Sequence, residues 1–106
     1  MQYDLSPEVH DAVCFYCRSY HQREYILRET ICPPAIRSAY SAINETIREA
    51  IGTEYGERMR DIIIEDIARG RGWGYSPAVS MISEKAYKAY KRRAKILIAK
   101  RLGLCR

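Results

Sequence analysis

Apolar and aromatic residues recur at intervals of three and four along most of the chain, and this spacing restricts the fold more than any other feature. A stripe with that period lies along one side of an α-helix, whereas a half-buried strand needs strict alternation. No two alternating segments are separated by a hairpin turn. The sequence therefore predicts an all-α fold, a small helical bundle of four to five helices with a C-terminal helix-turn-helix-like unit.

Capping residues and glycines set the expected helix boundaries. Ser6, Thr53 and Ser83 each precede a periodic apolar segment and can cap a helix with their hydroxyls. Gly52 and Gly70 stand where two of these segments end, as glycine often does after a helix. The expected helices comprise residues 6–29, 34–51, 53–70, 76–82 and 84–102, and the last has an inner stripe of Tyr87, Tyr90, Ala94, Leu97 and the stem of Arg101.

The length of 106 residues fits a single domain, and 47% hydrophobic residues argue against disorder. We expect residues 1–52 to form an N-terminal helical hairpin, a candidate for dimerisation, and residues 53–106 to form the helix-turn-helix-like part, both packed as one compact domain. No apolar run approaches the ~20 residues of a membrane span, and the first residues show no signal peptide. The expectation is a cytoplasmic protein without a membrane partner.

Charge is divided unevenly along the chain. Residues 1–84 contain 9 arginines and 13 acidic residues, so their net charge is −4. Residues 85–106 contain 5 lysines, 4 arginines and no acidic residue, so their net charge is +9. Such a split indicates a surface that meets a partner. Because cations that neutralise phosphates release counter-ions, duplex DNA is the partner that we expect.

The candidate nucleic-acid-binding residues surround the inner stripe of the last helix and are Lys85, Lys88, Lys91, Arg92, Arg93 and Lys95. Lysine and arginine can donate to guanine edges in the major groove or to phosphates. The alternative is that this helix is neutralised within the protein by the acidic segment that contains Glu54, Glu57, Asp61, Glu65 and Asp66. The charge pattern leaves both interpretations open.

The order of a short helix, a turn and a longer helix is that of a helix-turn-helix. The run SEKAYKAYKRRA at residues 83–94 begins with a capping serine, places tyrosines four and seven positions later, and continues with a basic pair and an alanine. This run resembles the recognition helix of sigma-factor region-four-like domains, and Trp73 and the segment 59–67 precede it in a matching order. Over roughly residues 57–103 the arrangement is similar to the small phage transcriptional regulators of the RinA and ArpU kind.

The resemblance implies a phage or prophage transcriptional regulator that binds DNA and activates late or packaging genes, with RNA polymerase or another host protein as a further partner. In that family the first helix of the unit has apolar residues seven and three positions before the serine. Here Ser76 and Ser80 occupy those positions, and Pro77 lies between them. We therefore expect a shortened, shifted or degenerate first helix, which can keep the shape of the unit and lose base reading.

Metal, nucleotide and enzyme sites find little support. Cys14 and Cys17 have the Cys-x-x-Cys spacing of a zinc knuckle. His10 lies four residues before Cys14, and His21 lies four residues after Cys17. No second pair stands at zinc spacing, so reduced cysteines packed as small hydrophobic residues are expected, with Cys105 on a frayed tail. The Gly-rich segment 69–75 lacks the strand and the Lys-Ser/Thr of a P-loop, so we expect a connector whose tryptophan packs into the core. Neither an enzyme nor a cofactor is predicted.

The chain contains nine tyrosines and one phenylalanine. Tyrosine can bury its ring while its hydroxyl stays in water, which suits either the face of a homodimer or the edge of a core. The residues concerned are Tyr3, Tyr16, Tyr20, Tyr25 and Tyr40. A second functional class is a helical protein–protein interaction module, such as a phage-encoded inhibitor of a host nucleic-acid-binding protein, which would use the acidic N-terminal part as much as the basic helix.

Overall fold

Helices account for the regular structure of residues 5–29 and 31–105, the parts of the chain that this computed structural model describes. In those parts there is no strand, and the all-α prediction is confirmed. The α-helices are α1 (Pro7–Arg18), α2 (Tyr20–Arg28), α3 (Pro34–Ile51), α4 (Glu57–Arg69) and α5 (Glu84–Arg101), and two short 3₁₀ helices, Trp73–Tyr75 and Pro77–Ser80, connect α4 to α5.

Two of the three predicted serine and threonine caps form. Ser6 and Ser83 each accept a hydrogen bond from the backbone amide three residues later, at 3.3 and 3.2 Å. Thr53 does not cap α4, and that prediction is wrong. Its carbonyl accepts from the Gly56 amide instead, and Gly56, at φ +94°, becomes the residue before α4. The intervening turn delays the helix to Glu57.

A bend at Ser19 divides the first predicted helix into α1 and α2, so the expectation of one helix over residues 6–29 is wrong. Ser19 has φ −89° and ψ 0°, in the sparsely populated region between helix and strand. Arg23, the charged member of the apolar stripe, is buried and donates to the Tyr16 carbonyl and to the Asn44 side chain. The bend lets a buried guanidinium reach a main-chain acceptor, because a buried charge must be hydrogen bonded.

The helices pack so that α1 and α3 cover the inner side of α5. Helix α1 also contacts α4, and α2 lies against α3. The buried side chains at the centre are Val13, Cys17, Ile47, Ile51, Met59, Ile63, Ile64, Ile67, Tyr87, Tyr90 and Ile98. Since every long helix contributes to this core, burial of these side chains holds α5 in a fixed orientation.

Helix α3 has the predicted bounds, but its apolar stripe is buried over its C-terminal half only. Ile47, Ala50 and Ile51 are buried, whereas Ile36 is 42% exposed. The Tyr90 hydroxyl donates to the Gly52 carbonyl at 3.0 Å and ties α5 to this buried end of α3.

The stripe of α5 is buried as predicted at Tyr87, Tyr90 and Ala94. Toward the C-terminus the buried residues are Ile98 and Ala99, while Leu97 is half-buried and Arg101 is exposed, contrary to expectation. The tail is not frayed either. The amides of residues 103 and 104 donate back to the carbonyls of residues 100 and 99, and Cys105 packs against the core.

Candidate nucleic-acid interface

Four cations of α5 point away from the core, and we call them the basic face: Lys85, Lys88, Arg92 and Lys100. They are exposed, and they lie on the side of the helix opposite the buried tyrosines. Between the first and the last of them α5 rises by about 22 Å, which is long enough to follow several phosphates. The basic face includes three of the six candidate residues.

Lys88 has an acidic neighbour that a phosphate can replace. Its Nζ lies 2.9 Å from Glu84 Oε2, one turn earlier on the helix, and the two side chains are 69% and 53% exposed. An exposed pair at this spacing contributes only about 0.3–0.5 kcal/mol. A phosphate therefore competes easily for this ammonium group.

Lys91, the third candidate along the helix, turns inward. Its Nζ donates to the Arg71 carbonyl at 2.5 Å and lies 5.6 Å from the centre of the Tyr87 ring. Burial, followed by the nearby Lys95, lowers the pKa of Lys91 below its usual value. Lys91 fixes the connector to α5 and does not belong to the basic face.

Arg93 and Lys95 occupy the two flanks of α5, where each meets a group of the protein itself. The Arg93 guanidinium pairs with Glu54 and lies 5.6 Å from the centre of the Tyr90 ring. Lys95 Nζ is 3.4 Å from His10 Nε2 on α1. Arg93 is exposed and Lys95 is half-buried, and the basic face lies between these two contacts.

The acidic residues of α4 are paired mostly within their own part of the chain. Glu65 Oε2 lies 3.4 Å from Arg69 Nε, and Asp66 Oδ1 lies 2.7 Å from Arg71 Nε. Glu54, a member of the acidic segment, pairs with Arg93 of α5. The interpretation that α5 is neutralised by this segment therefore holds for Arg93.

Asp66 is the centre of a buried polar network below the basic face. Its side chain is fully buried, and its two oxygens accept from Arg71 Nε and from the Tyr87 hydroxyl, both at 2.7 Å. The Tyr87 hydroxyl also lies 3.1 Å from the Arg71 carbonyl. Burial and the Asp66 carboxylate raise the pKa of Tyr87, so the phenol stays protonated and can donate. The network sets the position of α5 relative to α4.

The segment before α5 departs from a helix-turn-helix. The expected short helix over residues 76–82 forms only as the four-residue 3₁₀ helix Pro77–Ser80, so that prediction is corrected. The Ser76 hydroxyl is turned inward and accepts from the Ala78 amide at 3.0 Å. A serine used in this way cannot contribute the apolar contact that would extend the helix. The helix before α5 is therefore shortened, as Ser76, Pro77 and Ser80 predict.

The connector presents apolar side chains to solvent. The tryptophan packs against the core as predicted, and its indole Nε1 donates to the Ile82 carbonyl at 3.1 Å. Tyr75, Val79 and Met81 are 87%, 44% and 42% exposed. Sequence reasoning missed this exposure, because these residues fit an apolar helix face that does not form.

The cysteine and histidine residues do not come together. His10 and Cys14 are neighbours, with Sγ 3.9 Å from Nδ1, but Cys17 is buried and His21 lies beyond the bend, with its ring edge against Tyr20. Burial raises the pKa of Cys17 to about 12. No group of three or more side chains suited to a metal ion occurs in the described parts of the chain.

The tyrosines do not share one surface. Tyr20 is buried and its hydroxyl accepts from Arg48 at 3.0 Å, whereas Tyr25 is 58% exposed. Tyr16 and Tyr40 are half-buried. Tyr3 lies outside the described residues. The expectation of core packing thus holds for Tyr20.

No model of a known protein family matches the chain, and no curated protein or solved structure does so either. None of the described helices combines the length and the apolar character needed to cross a bilayer.

Proposed function

We propose that the protein binds duplex DNA through the basic face of α5 and regulates transcription in a phage or prophage. The observation that supports this most is the exposed row of Lys85, Lys88 and Arg92, spaced by three and four on a helix that the core holds rigidly. Phosphates relieve the repulsion among these cations, and the released counter-ions drive binding. Lys91, Arg93 and Lys95 act as supports of this helix.

The short 3₁₀ helix before α5 bears on how the DNA is read. In a helix-turn-helix the first helix crosses the backbone and orients the recognition helix in the major groove. Four residues of 3₁₀ helix provide a much smaller platform. Phosphate contacts therefore carry most of the proposed affinity, and discrimination among sequences is expected to be weak.

The test is a gel shift with random-sequence duplex DNA, comparing the wild type with the Lys88→Ala/Arg92→Ala double variant. We expect the double variant to bind roughly tenfold more weakly or worse at low salt, because two phosphates are no longer neutralised. The matched control is Arg58→Ala/Arg69→Ala, which removes two exposed cations from α4. Equal binding by the two double variants would refute the assignment of the basic face.

A second candidate is a helical interaction module that occupies a host protein, such as RNA polymerase or another nucleic-acid-binding protein. The exposed Tyr75, Val79 and Met81, next to the basic helix, favour it. Under this hypothesis DNA is not retarded even at low salt. A Tyr75→Ser/Met81→Ser variant would then lose the host partner, whereas under the first hypothesis it would retain DNA binding.

A further inference from the structure

A groove of about 360 Å³ lies between α2, α3 and α4, on helices that do not contribute to the basic face. Three arginines line it, one from each helix: Arg28, Arg48 and Arg60. The carboxylates that line it are Glu24 and Asp61, so the cations outnumber the acids. This positive groove is formed by residues 1–84, the part of the chain whose net charge is −4.

Glu24 is already occupied within the protein. Its Oε2 accepts from Asn44 Nδ2 at 2.8 Å and from Arg48 Nη1 at 3.2 Å. Arg48 donates as well to the hydroxyl of Tyr20. These bonds balance Glu24 against Arg48 and hold the floor of the groove. Arg28, one turn later on α2, also interacts electrostatically with Glu24, and Asp61 is the other carboxylate of the groove.

Arg60 has a donor that the protein does not use. Its Nε is buried and has no hydrogen-bond partner among the described residues. The nearest carboxylate is that of Asp61, at 3.8 Å, which is too long for a hydrogen bond. Consecutive residues on a helix point in different directions, so Asp61 is poorly placed to come closer. A buried guanidinium N–H without an acceptor is uncommon in proteins, and here it leaves Arg60 Nε without a bonded carboxylate.

We propose that this groove binds a phosphate group of a small ligand, with the Arg60 guanidinium as the central donor and with Arg28 and Arg48 beside it. The guanidinium fork matches phosphate oxygens. The three arginines belong to three helices, and three cationic side chains suit the double charge of a phosphate better than the single charge of a carboxylate. The groove is larger than a phosphate ion and has room for a group esterified to it. The proposal does not depend on DNA binding by α5.

The experiment is calorimetric titration of the full chain with inorganic phosphate and, in parallel, with a nucleoside monophosphate, at constant ionic strength. Arg60→Met and Arg28→Met are each expected to weaken phosphate binding roughly tenfold or more, because a charge-assisted hydrogen bond is removed. The matched control is Arg69→Met, on α4 and paired with Glu65, which is expected to bind as the wild type does. The Lys88→Ala/Arg92→Ala variant should also bind phosphate normally, which separates this site from the basic face.

Arg60→Met removes an unsatisfied buried donor, so its melting midpoint in phosphate-free buffer is expected to be no lower than that of the wild type. If this variant does not fold, Arg28→Met decides, because Arg28 is exposed. Tighter binding of the monophosphate identifies an ester as the ligand, and equal binding identifies the phosphate alone; both support the site. Absence of phosphate binding, or wild-type affinity in the Arg28→Met variant, would overturn the proposal.

Discussion

The side chain of Asp66 on α4 links two other parts of the proposed interface. It is fully buried and joins Arg71 of the connector to Tyr87 of α5. The Arg71 carbonyl in turn accepts from Lys91. One carboxylate on α4 therefore fixes both the connector and the helix that bears the basic face.

We predict that Asp66→Asn lowers the free energy of unfolding by about 2–3 kcal/mol, because it leaves a partly buried guanidinium without its counter-charge. Urea denaturation followed by circular dichroism measures this difference. Glu65→Gln is the matched control, since its ion pair with Arg69 is on the surface and should be worth less than about 0.5 kcal/mol. Similar losses in the two variants would mean that the buried network contributes little.

At the scale of residues, the sequence predicted which cations lie on α5 but not which of them face solvent. Lys91, Arg93 and Lys95 are candidates because they are cations that surround the inner stripe of the helix. Their partners, the Arg71 carbonyl, Glu54 and His10, are distant in sequence. Spacing along a helix gives the rotational position of a side chain, and only packing determines what stands opposite it.

Among the elements, the connector between α4 and α5 decides how the site is presented. Helix α4 ends at Gly70, whose φ of +67° is left-handed. The Arg71 amide then donates back to the Asp66 carbonyl at 2.8 Å, which reverses the chain sharply. The same reversal places the Arg71 side chain beside Asp66.

We predict that Gly70→Ala destabilises the protein by about 1 kcal/mol, because an L side chain resists this left-handed conformation. Gly74→Ala is the control: a Cβ there would meet no atom within 4 Å, and its φ is not positive. Its effect should be within about 0.5 kcal/mol. Equilibrium unfolding in urea compares the two, and the prediction fails if Gly74→Ala costs as much as Gly70→Ala.

The bounds of α3 and the caps of α1 and α5 followed from local chemistry, because a hydroxyl, a proline or a glycine acts within one turn. The bend at Ser19 could not be predicted in this way. It depends on Arg23 reaching Tyr16 and Asn44, and Asn44 lies 21 residues away on another helix. Gly56 weakens the first turn that Thr53 could cap, and the bond from the Gly56 amide to the Thr53 carbonyl delays the start of α4 to Glu57.

Across the whole molecule, positive charge is concentrated in two places. Four of the exposed cations of α5 form the basic face, while acidic residues of α4 pair locally. The arginines of the groove between α2, α3 and α4 come from positions 28, 48 and 60. No short motif links those positions, so only the packing of three helices revealed them.

We predict that DNA binding depends on where the charge is and not on net charge. The logarithm of the binding constant should fall linearly with the logarithm of salt concentration. For Lys88→Ala/Arg92→Ala the slope should be shallower by about 1.8, at about 0.9 for each phosphate that the variant no longer neutralises. The Arg58→Ala/Arg69→Ala control has the same net charge, and a slope as shallow as that of the first variant would show that only total charge matters.

By itself the sequence determined the helical class, most helix boundaries and the concentration of cations in the last helix, since these depend on residues within a few turns of each other. Tertiary structure decided three further features: which cations of α5 face outward, the bend that buries Arg23, and the groove around Arg60. The physical reason is that burial and hydrogen-bond partners come from other helices. Their approach depends on how the complete core packs.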